Sequence, residues 1–339
     1  MTRTTPPRPL DIEAQFPELA GHRKTCTRLH PRPGTPTPGQ SSVGGPFLWP
    51  ADEPWPTCRE PHPRHKGRRI QDTREERRLL ARAWARGGSG PTEEERDTLA
   101  ALLRTHHEPG LGDTDPVPLL PLAQLFTKDV PGLGAPEGRD VLQVLWCPFE
   151  AHGSPPGPGV HLVWRTAAEA GDTPADPLLP AVVGDDGYVP EPCTLAPEQV
   201  TEHEWAELLP EDLRQRIEEW EEALWEEAEE GDQDEVEPPS YDADFSVAPR
   251  WKVGGFAAWG VTGPQQLACS CGSPMRLLLT IAAAEWGGVR SSWTPLEDLP
   301  LVGTHDANVP TQVLVGRGGH LDIFVCRADP AHEYWTRLQ

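Results

Sequence analysis

Cys269-Ser270-Cys271-Gly272, taken with Cys326 and His332, is the group of residues best suited to chemistry. Three thiolates and one imidazole make a closed tetrahedral zinc site of the structural kind, with no open position for a substrate. Its effect would be to fasten the last strand of the chain to the glycine-bearing turn at 269–272. The competing reading is that these are buried cysteines serving as small apolar side chains, since Cys-x-Cys is a less usual ligand spacing than Cys-x-x-Cys. Earlier in the chain Cys58, Cys147 and His152 offer a second set, with His62 or His65 as the fourth ligand.

Other candidates point away from catalysis. The glycine pairs at 44–45 and 254–255 lack the strand-to-helix context, the Lys-Ser or the third glycine of a phosphate loop, and read as tight bends. His106-His107 follows a predicted helix, where histidines commonly meet the helix dipole. No Ser-His-Asp order, activated cysteine, Walker loop or His-Glu-x-x-His is present. The sequence therefore gives no positive reason to expect an enzyme.

The elements that must carry the cysteines occur twice. Val43-Gly44-Gly45 with Trp49 matches Val253-Gly254-Gly255 with Trp259, and each is followed by a cysteine, Cys58 or Cys269. The run from Pro118 to Leu125 then aligns with that from Pro274 to Ile281. Val141 to Cys147 aligns with His320 to Cys326, and a histidine follows each cysteine within six residues. These short runs, rich in Val, Ile, Leu, Phe and Trp and bounded by Gly, Pro and Asp, predict strands. The expected fold class is α+β: two diverged antiparallel-sheet units related by a pseudo-twofold duplication, with an inserted helical hairpin and an acidic helical segment, in one body. The expected boundaries are an N-terminal segment at 1–19, a first unit at 20–165 with a helical insert at about 59–115, a connector at 166–239, and a second unit at 240–339.

The insert is predicted as two helices. Leu79, Leu80, Ala83 and Trp84 share a face of the first, and a capping box from Thr92 to Glu95 opens the second. The connector is predicted as a pair of amphipathic helices whose second member carries the stripe Leu213, Ile217, Trp220, Leu224, Ala228. That stripe is expected to face the sheet body or the hairpin.

Charge is concentrated in two places. Residues 198–237 hold eighteen Asp and Glu against two Arg, most of the formal net charge of −23, whereas residues 59–86 hold ten Lys and Arg against four acids. An overall pI near 4.9 and the lack of a nucleic-acid-binding motif argue against nucleic acid as partner. A basic protein suits the acidic helix, with Glu218, Glu222, Glu226 and Glu229 as candidate contacts alongside Trp49 and Trp259. The basic stretch is the competitor for the same surface. Prolines and glycines, 41 and 32 in number, lack a collagen period and mark a loop-rich globule. No apolar run is long enough for a membrane span, and seven cysteines spread over 339 residues point to a reducing, cytoplasmic setting.

Several of these residues resemble the YwqG-like family of uncharacterised bacterial proteins: Ser42-Val43-Gly44-Gly45, Trp49-Pro50, Trp55-Pro56, Leu122-Ala123-Gln124-Leu125, Leu142-Gln143-Val144, Lys252-Val253-Gly254-Gly255, Cys271-Gly272-Ser273-Pro274-Met275 and Phe324-Val325-Cys326. The second unit is also similar to the carboxy-terminal part of the programmed cell death protein 2 type, with Cys-x-Cys and Thr280 where that group has Cys-x-x-Cys and a glutamine. That likeness implies chaperoning of a basic, ribosomal-type protein. The expected function is accordingly a protein-binding or chaperone-like module; the alternatives are an enzyme with an unrecognised cleft and an immunity-type operon partner.

Overall fold

The computed structural model describes the chain except for residues 1, 65–66, 88–89, 107–109, 154–156, 172–177, 231–236 and 288–291. The fold is α+β. Numbered along the chain, its strands are β1 (Arg23–Arg28), β2 (Arg32–Pro33), β3 (Ser42–Val43), β4 (Thr57–Cys58), β5 (Val117–Pro118), β6 (Leu120–Phe126), β7 (Val141–His152), β8 (Gly157–Arg165), β9 (Cys193–Thr194), β10 (Glu198–His203), β11 (Lys252–Gly254), β12 (Met275–Ala282), β13 (His320–Cys326) and β14 (Tyr334–Leu338). One six-stranded sheet has the order β2-β9-β3-β6-β7-β8 and the other β10-β1-β11-β12-β13-β14, while β4 and β5 form a separate ribbon. All the pairings are antiparallel.

The last four strands of each sheet agree in register. Val43 lies opposite Ala123 and Val253 opposite Leu279, positions that the sequence alignment equates. The β6–β7 ladder slips between Pro121 and Ala123, and the β12–β13 ladder slips at the aligned Leu277 and Leu279. Beyond the slip Gln124 faces Gln143 in one sheet, and Thr280 faces Asp322 in the other. Each facing pair is buried and hydrogen-bonded: Gln143 Nε2 donates to Gln124 Oε1 at 2.9 Å, and Thr280 Oγ1 donates to Asp322 Oδ1 at 2.6 Å. Thr280 and Asp322 thus satisfy each other across the ladder.

Both faces of these strands are covered, which is why they read as nearly continuous apolar runs. Leu120, Leu122, Leu142 and Val144 of one sheet share a core with Leu279, Ile281, Leu321 and Ile323 of the other. Tyr334 Oη donates to the Val160 carbonyl at 2.6 Å, joining the edge strands β14 and β8.

The sheets do not follow the boundaries expected from sequence. β1, inside residues 20–165, pairs with β10 and β11 of the other sheet. Residues 166–239 supply strands to both sheets, since β9 lies between β2 and β3 while β10 forms an edge. The expected helix pair in this connector is therefore corrected to a strand followed by one long helix. Residues 198–203 read Glu-Gln-Val-Thr-Glu-His, without an apolar run, because their inward polar groups are satisfied inside the protein. Glu202 is fully buried; its Oε2 accepts from Lys252 Nζ and from the Ala248 amide, both at 2.7 Å, and its Oε1 accepts from the Phe256 amide. A Cβ at Gly255, where φ is +76°, would collide with this carboxylate. Lys252→Met leaves the buried anion without its partner, and a loss of about 3–5 kcal/mol is expected in urea unfolding. A change of under ~1 kcal/mol would mean that the pair carries no such role.

The helices are α1 (Ile12–Gln15), α2 (Ile70–Ala85), α3 (Glu93–Leu102), α4 (Ala167–Ala170) and α5 (Glu211–Glu230). α2 and α3 form the inserted hairpin, with the Thr92–Glu95 capping box in place. Leu79 and Ala83 are buried, whereas Trp84 is exposed and stacks on His305. The basic stretch is paired locally: Arg68 with Glu76 and Asp186, Arg77 with Glu191, and Arg86 with Glu95. The α5 stripe packs elsewhere than expected. Leu213 and Ile217 join Ile12, Phe16, Leu19, Tyr241 and Phe245, and Trp220 makes edge contacts with Phe16 and Phe245. The N-terminal segment and the 241–245 turn, not the sheets or the hairpin, cover this helix.

Candidate metal centres

Two groups of Cys and His form at corresponding places in the two sheets. Cys58, His62, Cys147 and His152 make one, and Cys269, Cys271, Cys326 and His332 the other; within each group the ligand atoms lie within 4.8 Å of one another. Either group can hold a metal ion. Cys147 and Cys326 lie on the aligned strands β7 and β13, while Cys58 and Cys269 follow the aligned glycine turns. His152 ends β7 where it turns into β8, and His332 lies in the turn between β13 and β14. Each group thus ties an edge hairpin to a cysteine-bearing segment that lies outside the two six-stranded sheets.

In the first group His62 Nε2 lies 3.3 Å from both Cys58 Sγ and Cys147 Sγ, and His152 Nε2 lies 3.8 Å from Cys58 Sγ. Zinc ligands at about 2.0 Å for nitrogen and 2.3 Å for sulfur stand roughly 3.5–3.8 Å apart on a tetrahedron, so the spacing fits. Of the two histidines weighed as fourth ligand, His62 takes the place; His65 lies outside the described residues. The loop is held by the His62 amide donating to the Asp113 carbonyl at 2.8 Å, and the imidazole stacks on Phe149. Burial lowers the pKa of His62 to about 4, helped by His152 and Arg64, and burial lowers that of His152. Both rings are therefore neutral at pH 7, as metal ligation requires. Burial, reinforced by Cys58, raises the Cys147 thiol. A metal would have to displace its proton.

The second group is more open. Cys269 and Cys326 are buried, whereas Cys271 and His332 are exposed. Cys271 Sγ and Cys326 Sγ are 3.5 Å apart, and Cys269 Sγ is 3.7 Å from His332 Nδ1. The Cys269 turn closes through its carbonyl, which accepts from the Gly272 amide at 2.9 Å, with Gly272 at φ +82°. The Asp329 amide, then His332 and the Ala328 amide, lower Cys326 to about 6 against the opposing effect of burial, so its sulfur is a ready thiolate. The other ring nitrogen of His332 lies 3.8 Å from the Asp329 carboxylate, an ion-pair distance that is too long for a hydrogen bond.

The candidate contact residues fall into two kinds. Trp49 and Trp259 are core residues, 7% and 6% exposed; Trp49 packs on Trp55 and donates to the Glu53 carbonyl, and Trp259 stacks on Phe324. Their aromatic surface is spent on packing, which removes them as partner contacts. Glu218, Glu222, Glu226 and Glu229 all lie exposed on α5. The sequence reading missed Trp225, which is 46% exposed and shares a surface groove with Glu218, Glu221, Glu222 and Glu226. Its position one residue past the apolar stripe, at Leu224, was the available signal. Gly44 and Gly254 both have positive φ, as tight bends require, and His107 lies outside the described residues. No helix among the described residues is long and apolar enough to cross a membrane.

A scan against protein-family models finds no match, and a search of curated proteins finds no significant relative.

Proposed function

We propose that this chain is a cytoplasmic protein-binding module of the YwqG-like kind, a diverged duplication stapled by two structural zinc ions, that presents α5 to a basic protein. The observation that carries this reading is the solvent face of α5. Glu218, Glu222 and Glu226 recur every four residues there, with Glu229 beyond them, and the exposed indole of Trp225 stands among them. An indole bordered by carboxylates is a favourable surface for lysine and arginine, combining ion pairing with cation–π attraction. The apolar stripe on the opposite side is already buried, so the anionic face is presented by a fixed helix. The matched registers and the corresponding Cys/His groups support common descent of the two units.

Such a surface steers basic partners in a salt-dependent way. The test is binding of a partner isolated from native lysate, then purified, to wild type and to a variant carrying Glu218→Gln, Glu222→Gln, Glu226→Gln and Glu229→Gln, in low and high salt. Affinity should fall with salt for wild type and change far less for the variant. Equal affinity in all four conditions would leave α5 a solvated surface and end the proposal.

A further inference from the structure

The acidic groove leads into something larger. Trp225 also borders a cavity of about 1150 Å³ that runs between the 237–250 segment and the outer face of the second sheet, where Lys252, Thr280 and His320 form part of the floor. Small-molecule pockets usually measure about 300–1,000 Å³, so this volume suits a length of chain. Two more tryptophans, Trp205 and Trp293, stand in its walls.

Its polar groups have an uneven supply of partners. The Lys252 ammonium is engaged by Glu202 and by the Phe256 carbonyl, both at 2.7 Å, and the Thr280 hydroxyl donates to Asp322. Trp205, Arg250 and Ser292 also line this space, but the Trp205 indole N–H, Arg250 Nε and the Ser292 hydroxyl are turned away from it, closed to solvent. Glu237, Asp242 and Asp244 set an acidic border to the cavity, whose lining cations are Lys252, held by Glu202, and Arg250.

We propose that the cavity receives an extended basic peptide segment of the partner, a large apolar side chain lying among the tryptophans, and its cationic side chains running past the acidic border and out over Trp225 onto α5. This assignment rests on the functional reading above and names the form in which the partner is recognised. A small metabolite would not use the α5 face, and nucleic acid is disfavoured by the border of carboxylates.

The experiment uses two synthetic peptides built from Lys-Arg-Gly triplets, identical except that one carries a central Phe in place of a Gly. Each is titrated against the wild-type chain, against Ala258→Trp, which fills the cavity from a half-buried lining position, and against Trp225→Ala, an exposed position not needed for packing. The Phe peptide should bind wild type at least about tenfold more tightly than its partner peptide. Ala258→Trp should abolish that advantage while the weaker, salt-sensitive binding persists, and Trp225→Ala should weaken both peptides. Equal binding of the two peptides to wild type, or an undiminished Phe advantage in Ala258→Trp, overturns the cavity assignment and leaves the α5 reading standing. Absence of salt-sensitive binding by either peptide overturns both.

Discussion

Metal analysis of the purified chain is expected to return two zinc ions per polypeptide, and Cys147→Ser is expected to remove one of them together with much of the stability of the fold. Cys147 is fully buried in a cluster with Leu145, Phe149 and Val117, and its group joins β7 to the 58–62 segment. Structural zinc contributes an apparent free energy on the order of 10 kcal/mol in small domains at neutral pH. Even a fraction of that is large beside the roughly 5–15 kcal/mol that keeps a domain folded. Cys271→Ser acts at the more exposed group and should lower the urea midpoint less while also removing one zinc. A chelator should empty the second group before the first, giving two kinetic phases of release. Protein that is isolated without zinc under reducing conditions, and whose midpoint is unmoved by either substitution, would assign these residues to ordinary packing.

The placement of these ligands was legible in the sequence because it depended on order. Cys147 and Cys326 close the aligned apolar runs, and a histidine follows each within six residues, so alignment of the two halves was enough to gather both groups. The choice between His62 and His65 was not legible, since both lie in one proline-bounded stretch of sequence; His62 is placed by its amide closing on the Asp113 carbonyl. The strands β9 and β10 were hidden for another reason. A strand is recognised by apolar alternation, and β10 buries Glu202 and His203, whose partners Lys252, Glu13 and the Phe245 carbonyl are supplied by remote parts of the chain. For the same reason the division of the chain into sequence units missed β1, which reads Arg-Lys-Thr-Cys-Thr-Arg yet occupies the interior of the second sheet. The stripe on α5 announced that one face would be buried; amphipathicity does not specify the covering element, and Ile12, Phe16 and Leu19 proved to be that cover. The tryptophans Trp49 and Trp259 illustrate the converse, because an aromatic residue after a glycine turn reads alike whether it lines a groove or plugs a core.

Acid should weaken the protein through His30, a residue outside both Cys/His groups. Its ring is fully buried, with Nε2 3.2 Å from Glu198 and Nδ1 3.8 Å from Glu285, and Arg28 and Arg32 close by. Burial is the largest influence and, with the positive charge of Arg28, outweighs the attraction of Glu198, lowering the pKa from 6.5 to about 4. The folded chain thus refuses a proton that the unfolded chain accepts between these values. The contribution is fully present above pH 6.5, declines as pH falls, and is spent once pH passes about 4; its size is about 3 kcal/mol. Glu198 is an anion throughout this window, held at about 2 against the effect of burial by hydrogen bonds from His30 and Thr5. Glu285 works in the opposite sense. Burial raises it to about 7 despite Arg32, Arg28 and Arg250, so its contribution is present below the ordinary carboxylate value of 4.5 and is lost as pH rises through about 7. The two slopes partly cancel in the wild-type curve, and metal release adds a third. Comparison with His30→Gln isolates the imidazole, because the other two contributions remain in both proteins. The stability difference between wild type and variant should be flat above pH 6.5 and should shrink, in favour of the variant, by about 3 kcal/mol between pH 6.5 and 4. A difference that stays constant across that range would mean that His30 protonates without cost in the folded state, through solvent reaching the ring or through a tighter pairing with Glu198.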